Sequence, residues 1–218
     1  MSDFSTFDIV TYLIIATRWT IALSLIAFIG GAVAGFAIAL LRVLPIRILN
    51  YMAVGYIQFI QGTPLLMQLF IVFFGVALFE IEVSAWLAAS VALTAWTSAF
   101  LGEIWRGCIQ AIPKTQWESS ASLGLGFMQQ VIYIILPQAF KIAIPPTVGF
   151  LVQVIKGTSL ASVIGFIELT RAATALNNVT FRPFFIFLVI GIIYFSLCYP
   201  LSVYSQRMER KLNVASSS

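Results

Sequence analysis

Histidine is absent from this sequence of 218 residues, and cysteine occurs only twice, at Cys108 and Cys198. The first absence removes Ser-His-Asp hydrolysis, HExxH metalloprotease sites and imidazole proton relays. The two cysteines lie far apart in apolar surroundings with no metal-ligand spacing, so they read as ordinary buried thiols and not as a disulfide or zinc site. Charge is scarce too: only 9% of residues are Asp, Glu, Lys or Arg, with a net charge of +4. The few basic residues gather at the ends of apolar runs and are not interleaved with exposed aromatics, which argues against nucleic-acid binding. No GxxxxGK[ST] occurs, so the chain has no phosphate-binding loop with which to hydrolyse ATP itself. Paired intramembrane aspartates are missing as well, which leaves an intramembrane enzyme nothing to work with. The first charges are Asp3, Asp8 and Arg18. The basic start of a cleaved signal peptide is therefore lacking, and the first apolar run is expected to act as its own targeting signal.

What is present is apolar. The chain is 61% hydrophobic with a mean hydropathy of +1.01, a composition that belongs in a bilayer. One helical crossing needs roughly 20 apolar residues. The length thus accommodates about five, as one all-α membrane domain over residues 1–218 without room for a second. The expected spans are Trp19 to Leu41, Tyr51 to Phe79, Ser84 to Ile104, Ala139 to Ile155 and Phe184 to Tyr204, the fourth interrupted at its start by Lys141, Pro145 and Pro146. Alternating sides puts Arg42, Arg47, Arg106, Lys114, Lys141, Arg207, Arg210 and Lys211 together, against Arg18, Lys156, Arg171 and Arg182. The positive-inside rule then sets the N-terminus outside and the C-terminus in the cytoplasm.

Within the first span, Gly30, Gly31 and Gly35 allow close helix approach, which we read as internal packing in preference to a dimerisation face. In "QGTPLL", Gly62 and Pro64 break helical hydrogen bonding at membrane depth, and "KGTSLASVIG" (Lys156 to Gly165) repeats that character. Irregular backbone at that depth is tolerated only when buried in protein or lining a wet cavity, so the two breaks point to a polar path. Its candidate lining is Gln58, Gln61, Thr63, Ser98, Gln153, Thr158 and Ser159, although each could equally be back-bonded or paired between helices. Glu103 and Arg106 lie three apart on one helical face and are expected to form a structural ion pair.

Between the third and fourth spans stands "TQWESSASLGLG" (Thr115 to Gly126). Thr115 and Glu118 have capping-box spacing, and Gly124 stands where a C-cap wants positive φ. A short helix from Gln116 to Leu123 is expected, with a second from Met128 to Leu136 ended by Pro137. Small Ser119, Ser120, Ala121 and Ser122 permit close approach of another backbone, and Trp117 and Leu123 are large enough to anchor it. A plain connecting loop fits the same residues.

"ESSASLGLGFMQQVIYIILP" resembles the EAA loop of ABC importer permeases: Glu118, two small residues, Gly124, Ile134, then Leu136 and Pro137. "GTPLLMQLF", "GEIWRGCIQAIP" and "GTSLASVIGFIELTRAA" extend the likeness, in order, to permease subunits of polar amino-acid importers. The resemblance implies a cytoplasmic coupling loop at residues 113–137. In it Trp117, Glu118, Ser119, Ser120, Ala121 and Gly124 meet a separate ATPase that carries ATP and Mg. It also implies a second permease subunit, identical or homologous, an external solute-binding protein, and the bacterial cytoplasmic membrane. No catalytic residue, metal or cofactor is expected in this chain. Relatives carry Arg at the place of Gln61 and Asp or Asn at that of Gly157, so cationic cargo is disfavoured. An importer for opines or another small polar solute, and a passive channel, are the alternatives.

Overall fold

The computed structural model describes residues 5–216, so Asp3 and the outermost residues of the expected 1–218 domain lie outside the described chain. Among the described residues every regular element is helical. Helix α1 (Thr6–Val43) opens on a capping box in which Ser5 and Asp8 exchange side-chain bonds with each other's end of the turn. Next come α2 (Arg47–Gly62) and α3 (Leu65–Phe70), the latter running on through a π-helical turn, Ile71–Gly75. Then follow α4 (Ala85–Gln110), α5 (Lys114–Ser122) and α6 (Phe127–Gln129), which leads through a π turn (Gln130–Ile135) into α7 (Leu136–Gly157). A 3₁₀ turn (Thr158–Ser162), α8 (Leu169–Thr180) and α9 (Pro183–Ser216) complete the chain.

Four helices are long and apolar enough to cross a membrane, and the pair α2–α3, bent by 101°, makes a fifth crossing when taken as one broken span. About five spans were expected, and the break falls at Gly62 to Pro64 as read from the sequence. The boundaries differ, most of all at the first helix. The first helix begins at Thr6, well before Trp19, because Ile9, Leu13 and Ala16 are buried against α8 and α9. At about 1.5 Å per residue α1 is roughly 57 Å long, well over the ~30 Å hydrocarbon layer, so it extends past the bilayer.

The prolines were also misjudged. Pro145 and Pro146 lie inside α7 without interrupting it. Pro145 is buried in the bundle, and Ser205 of α9 donates to its carbonyl at 2.7 Å, which fastens α7 to α9 at that level. Nor does Pro137 end a separate Met128–Leu136 helix. The π turn just before it is wide enough for the proline ring, and Gln138 Nε2 donates back to Ile134 O at 2.8 Å, so α6 and α7 form one rod.

The bundle is centred on α1 and α4, whose backbones touch. A Cβ on Gly31 would overlap Thr97 Cβ, one on Gly35 would sit 2.9 Å from Ser98 O, and one on Gly102 would sit 2.9 Å from Ile38 Cγ2. These glycines serve internal packing, as expected. Around the crossing, Leu23, Leu69, Leu93, Leu101 and Val154 are fully buried, and the rings of Trp96, Phe100 and Phe150 pack tilted or stacked with centroids 5.0–5.3 Å apart.

Gly35→Val should lower thermal stability by at least the ~1–3 kcal/mol typical of overpacking, because the obstructing atoms are backbone. Gly55→Ala, whose Cβ meets nothing within 4 Å, is the matched control and should be neutral or slightly stabilising. Melting temperatures in detergent check both.

Candidate functional site

At membrane depth the geometry is organised by the α2–α3 bend. Gly62 and Pro64 leave the last carbonyls of α2 without helical donors. Gln68, one turn into α3, supplies them: its Nε2 donates to Ile60 O at 2.7 Å, Thr63 O at 3.1 Å and Thr63 Oγ1 at 2.9 Å. Gln68 is buried, and its Oε1 has no partner. Tyr56, on α2, hydrogen-bonds Ser98 Oγ at 2.8 Å and donates to Ala95 O at 3.1 Å, which fixes the bend's first arm to α4. The second break meets the first, since a Cβ on Gly157 would lie 3.3 Å from Leu65 and 3.6 Å from Leu93. The chain therefore brings both irregular segments to one level beside α4.

The sequence-derived lining divides at this point. Gln58, Gln61 and Gln153 are exposed on the chain, with Gln61 Nε2 donating to Ala99 O at 3.4 Å. Thr63 is half-buried and bonds back to Phe59 O at 2.9 Å, and Ser159 bonds back to Lys156 O at 2.6 Å. Ser98 and Thr158 do not face a path. Thr158 is wholly buried with its hydroxyl on Ile155 O at 2.7 Å, and Ser98 is spent on Tyr56 and Ala95 O. Close packing against α1 and α4 turned both inward. Beside Gln153, the exposed Lys156 lines a cavity of about 240 Å³ with Tyr194, Cys198, Tyr199 and Ser202. Cys108 and Cys198 are both buried and unpaired. Sequence reading missed Gln68 and Tyr56. A glutamine four residues after a proline in an apolar run was the available signal for the first, whereas nothing local marks the second.

At the opposite end of α7, α5 packs against the ends of the spans. Its N-cap is Pro113, in extended backbone with no side-chain cap, and Thr115 lies inside the helix. The capping box read from Thr115 and Glu118 is thus not formed, since the helix starts two residues earlier with Pro113 in the N-cap place. The other end follows expectation. Gly124 has φ +79°, its N–H donates to Ala121 O at 2.9 Å, and Leu125 N–H donates to Ser120 O at 3.3 Å. That is a Schellman stop. Trp117 stacks on Phe127 at 6.0 Å and joins a cluster of Val43, Ile109, Ile112, Ile135 and Ala139, so α5 rests on the ends of α1, α4 and α7 together. Of the small residues, Ser120 turns inward with Oγ on Trp117 O at 2.9 Å, while Glu118, Ser119 and Ala121 are exposed. Nearby, Arg106 forms a bidentate pair with Glu103 through Nε (2.9 Å) and Nη2 and also reaches Gln110, the ion pair expected.

Gln68→Leu should unfold the bend locally and lower thermal stability by about 1–3 kcal/mol, the penalty of leaving a buried carbonyl unpaired. Gln68→Glu should be at least as damaging, since a carboxylate cannot donate. Denaturation in detergent, read at the tryptophans, distinguishes them from wild type.

Residues 27–214 match the family described as binding-protein-dependent transport system inner membrane component. A probable amino-acid ABC transporter permease, YckA of Bacillus subtilis, is 34% identical over 200 residues, covering 92% of this chain and 88% of its own. The probable glutamine permease GlnM of the same organism is 33% identical, covering 88% and 89%. The nopaline transport permease NocM of Agrobacterium fabrum is 33% identical, covering 87% and 83%. Among solved structures, an amino acid ABC transporter crystallised with histidines superposes with a TM-score of 0.89 at 33% identity, over 97% of this chain and 99% of that one. The MetNI methionine transporter, at 19% identity and a TM-score of 0.77, shares the fold.

Proposed function

The chain belongs to the binding-protein-dependent transport system inner membrane components, and from that premise we propose that it forms half of the translocation path of an importer for polar amino acids. It is a multi-pass inner-membrane permease subunit of an ABC importer, and ATP hydrolysis resides in a separate subunit. Our reading goes further on four points. Two ATPase subunits holding ATP and Mg dock at α5. A second permease subunit, of this chain or a homologue, completes the path. A solute-binding protein delivers cargo from outside. The N-terminus is external and the C-terminus cytoplasmic.

The observation that carries this reading is the seat of α5. A short helix with its own stop at Gly124 presents Glu118, Ser119 and Ala121 outward and presses Trp117 and Ser120 onto three spans at once. Closure of the ATPase pair displaces α5, and the displacement passes through Ile109 and Ile135 into α4 and the α6–α7 rod. These helices carry the irregular level where Gln58, Gln61 and Gln153 are exposed, which gives a zwitterion polar groups at membrane depth. Thr63 and Ser159 border that level.

Cargo is expected to be acidic or neutral. Lys156 is exposed there, and Gly157 offers no carboxylate to a cationic side chain. Uptake by proteoliposomes, with the cognate ATPase and binding protein, should favour glutamine or glutamate; preference for arginine or lysine overturns this assignment. The similarity to a nopaline permease supports an opine importer as the second reading, and nopaline competing with all amino acids in that assay would select it.

Ser119→Trp places a bulky ring on an exposed position and should abolish uptake and ATPase stimulation while leaving insertion and melting unchanged. Gly124→Asp, which strains the helix stop, should lose uptake as well. Unimpaired uptake in both would reduce α5 to a connecting loop.

A further inference from the structure

Glu168 is the one carboxylate among the described residues that is completely buried. It caps α8. Its Oε2 accepts from Thr170 N–H at 2.9 Å and its Oε1 from Arg171 N–H at 2.8 Å. The remaining N–H of that turn, on Leu169, donates to Thr20 Oγ1 of α1 at 3.1 Å. From α9, Tyr194 O–H donates to Glu168 Oε2 at 3.0 Å and stands 3.0 Å from Thr170 Oγ1. Burial pushes the carboxyl upward from its ordinary range, against the pull of those three donors.

Capping alone does not account for this residue. Asp, Asn, Ser and Thr are the preferred N-caps, and the last three would serve without burying a charge. The additional methylene of glutamate carries Oε2 to Tyr194, which a shorter cap does not reach in this arrangement. The rest of α8 is held by apolar contacts alone, against Ile9 and Leu13 of α1 and Ile186 and Ile190 of α9. Its inner face is Leu169, Ala172, Ala173 and Leu176, two of them alanines, and its far end closes on Phe181 in left-handed backbone (φ 52°) with the ring exposed. Arg171, Ala175, Asn178 and Val179 form the exposed face. The helix is thus fastened at its N-terminus by polar bonds to α1 and α9 and lies at the end of the bundle away from α5.

We propose that Glu168, Tyr194 and Thr20 form a positioning latch that holds α8 across the outer end of the path, so that the permease keeps its outer face shut until α1 and α9 separate. This rests on the permease reading only in taking α5's end as cytoplasmic. Glu168 touches no cargo; it acts through α8. Separation of α1 from α9 opposes the Tyr194 bond, because the N-terminus of α8, tied to α1 through Leu169 N–H and to α9 through Glu168, cannot follow both.

Tyr194→Phe removes one hydroxyl and leaves the cap intact. One hydrogen bond to a charged acceptor is worth about a tenfold or greater shift in an equilibrium. With Cys108 and Cys198 replaced by alanine and a reporter introduced on the buried face of α8 as Ala172→Cys, a membrane-impermeant maleimide should label the Tyr194→Phe variant about tenfold faster than its parent. Glu168→Asp retains a cap but withdraws from α9, so it should label equally fast, and the two changes together should add little more. In proteoliposomes, basal ATPase activity should rise and its stimulation by binding protein should fall, with melting temperature close to wild type. Wild-type labelling in Tyr194→Phe overturns the latch, as does acceleration confined to Glu168 variants, which marks a cap only. Labelling decides the latch even where the parent fails to import, an outcome that counts against the permease reading alone.

Discussion

No backbone carbonyl can be left unpaired at membrane depth, and the architecture of this chain is arranged around the places where that requirement is hardest to meet. At the α2–α3 bend the helix ladder is cut by Gly62 and Pro64, and Gln68 stands in for the missing donors with both hydrogens of one amide group. Without it the bend would expose carbonyls to hydrocarbon at several kcal/mol each on the order-of-magnitude scale for unsatisfied groups in lipid. With it, the chain turns by 101° and lays Leu65 against Gly157. Along α7 side chains add donors to carbonyls near the prolines: Ser205 reaches Pro145 O from α9, and Gln138 reaches Ile134 O beside the π turn.

Rigidity comes from the opposite device, the removal of side chains. Gly31, Gly35 and Gly102 let α1 and α4 touch backbone to backbone, and two helices so close cannot slide without collision. The resulting pair is a strut. Its one end, at Val43 and Ile109, belongs to the cluster beneath α5, and Thr20, which receives the Leu169 N–H, lies some 23 residues earlier on α1. At about 1.5 Å per residue that is roughly 35 Å, about the thickness of the hydrocarbon layer. A displacement imposed at α5 therefore has a stiff route to the opposite face, whereas the bend at Gln68 gives the path its compliant, polar segment.

How far the sequence could reveal this depended on whether the cause was local. Gly62 with Pro64, Gly124 as a helix stop, the glycine spacing of α1 and the Glu103–Arg106 pair are all encoded within a turn or two, and the structure has them where the residues indicate. Thr115 misled because the helix begins two residues earlier, with Pro113 in the N-cap place and no side-chain cap. The prolines of α7 misled because packing overrides their local effect: Pro145 is buried in the bundle, and its partner Ser205 is 60 positions away. Tyr56 and Ser98 are 42 apart, Glu168 and Tyr194 are 26 apart, and Thr20 and Leu169 are 149 apart. No periodicity encodes such pairings. Ser98 and Thr158 were read as lining because small hydroxyls look alike whether they face water or bond back to their own helix.

The same distinction separates the two small residues that follow Glu118, Ser119 and Ser120. A serine inside a short helix competes with the backbone for carbonyls and weakens it slightly. Ser120 turns that competition to use: facing the spans, it donates to Trp117 O and is buried with its hydrogen bond complete. Ser122 does likewise to Glu118 O. Ser119 has no such partner among the described residues and stands outward beside Glu118 and Ala121. The two serines are thus not equivalent. One faces the membrane domain without leaving a polar atom unpaired, and the other adds a free hydroxyl to the surface that we propose docks the ATPase. Small volume is preserved on both faces of α5, and close approach from either side depends on that.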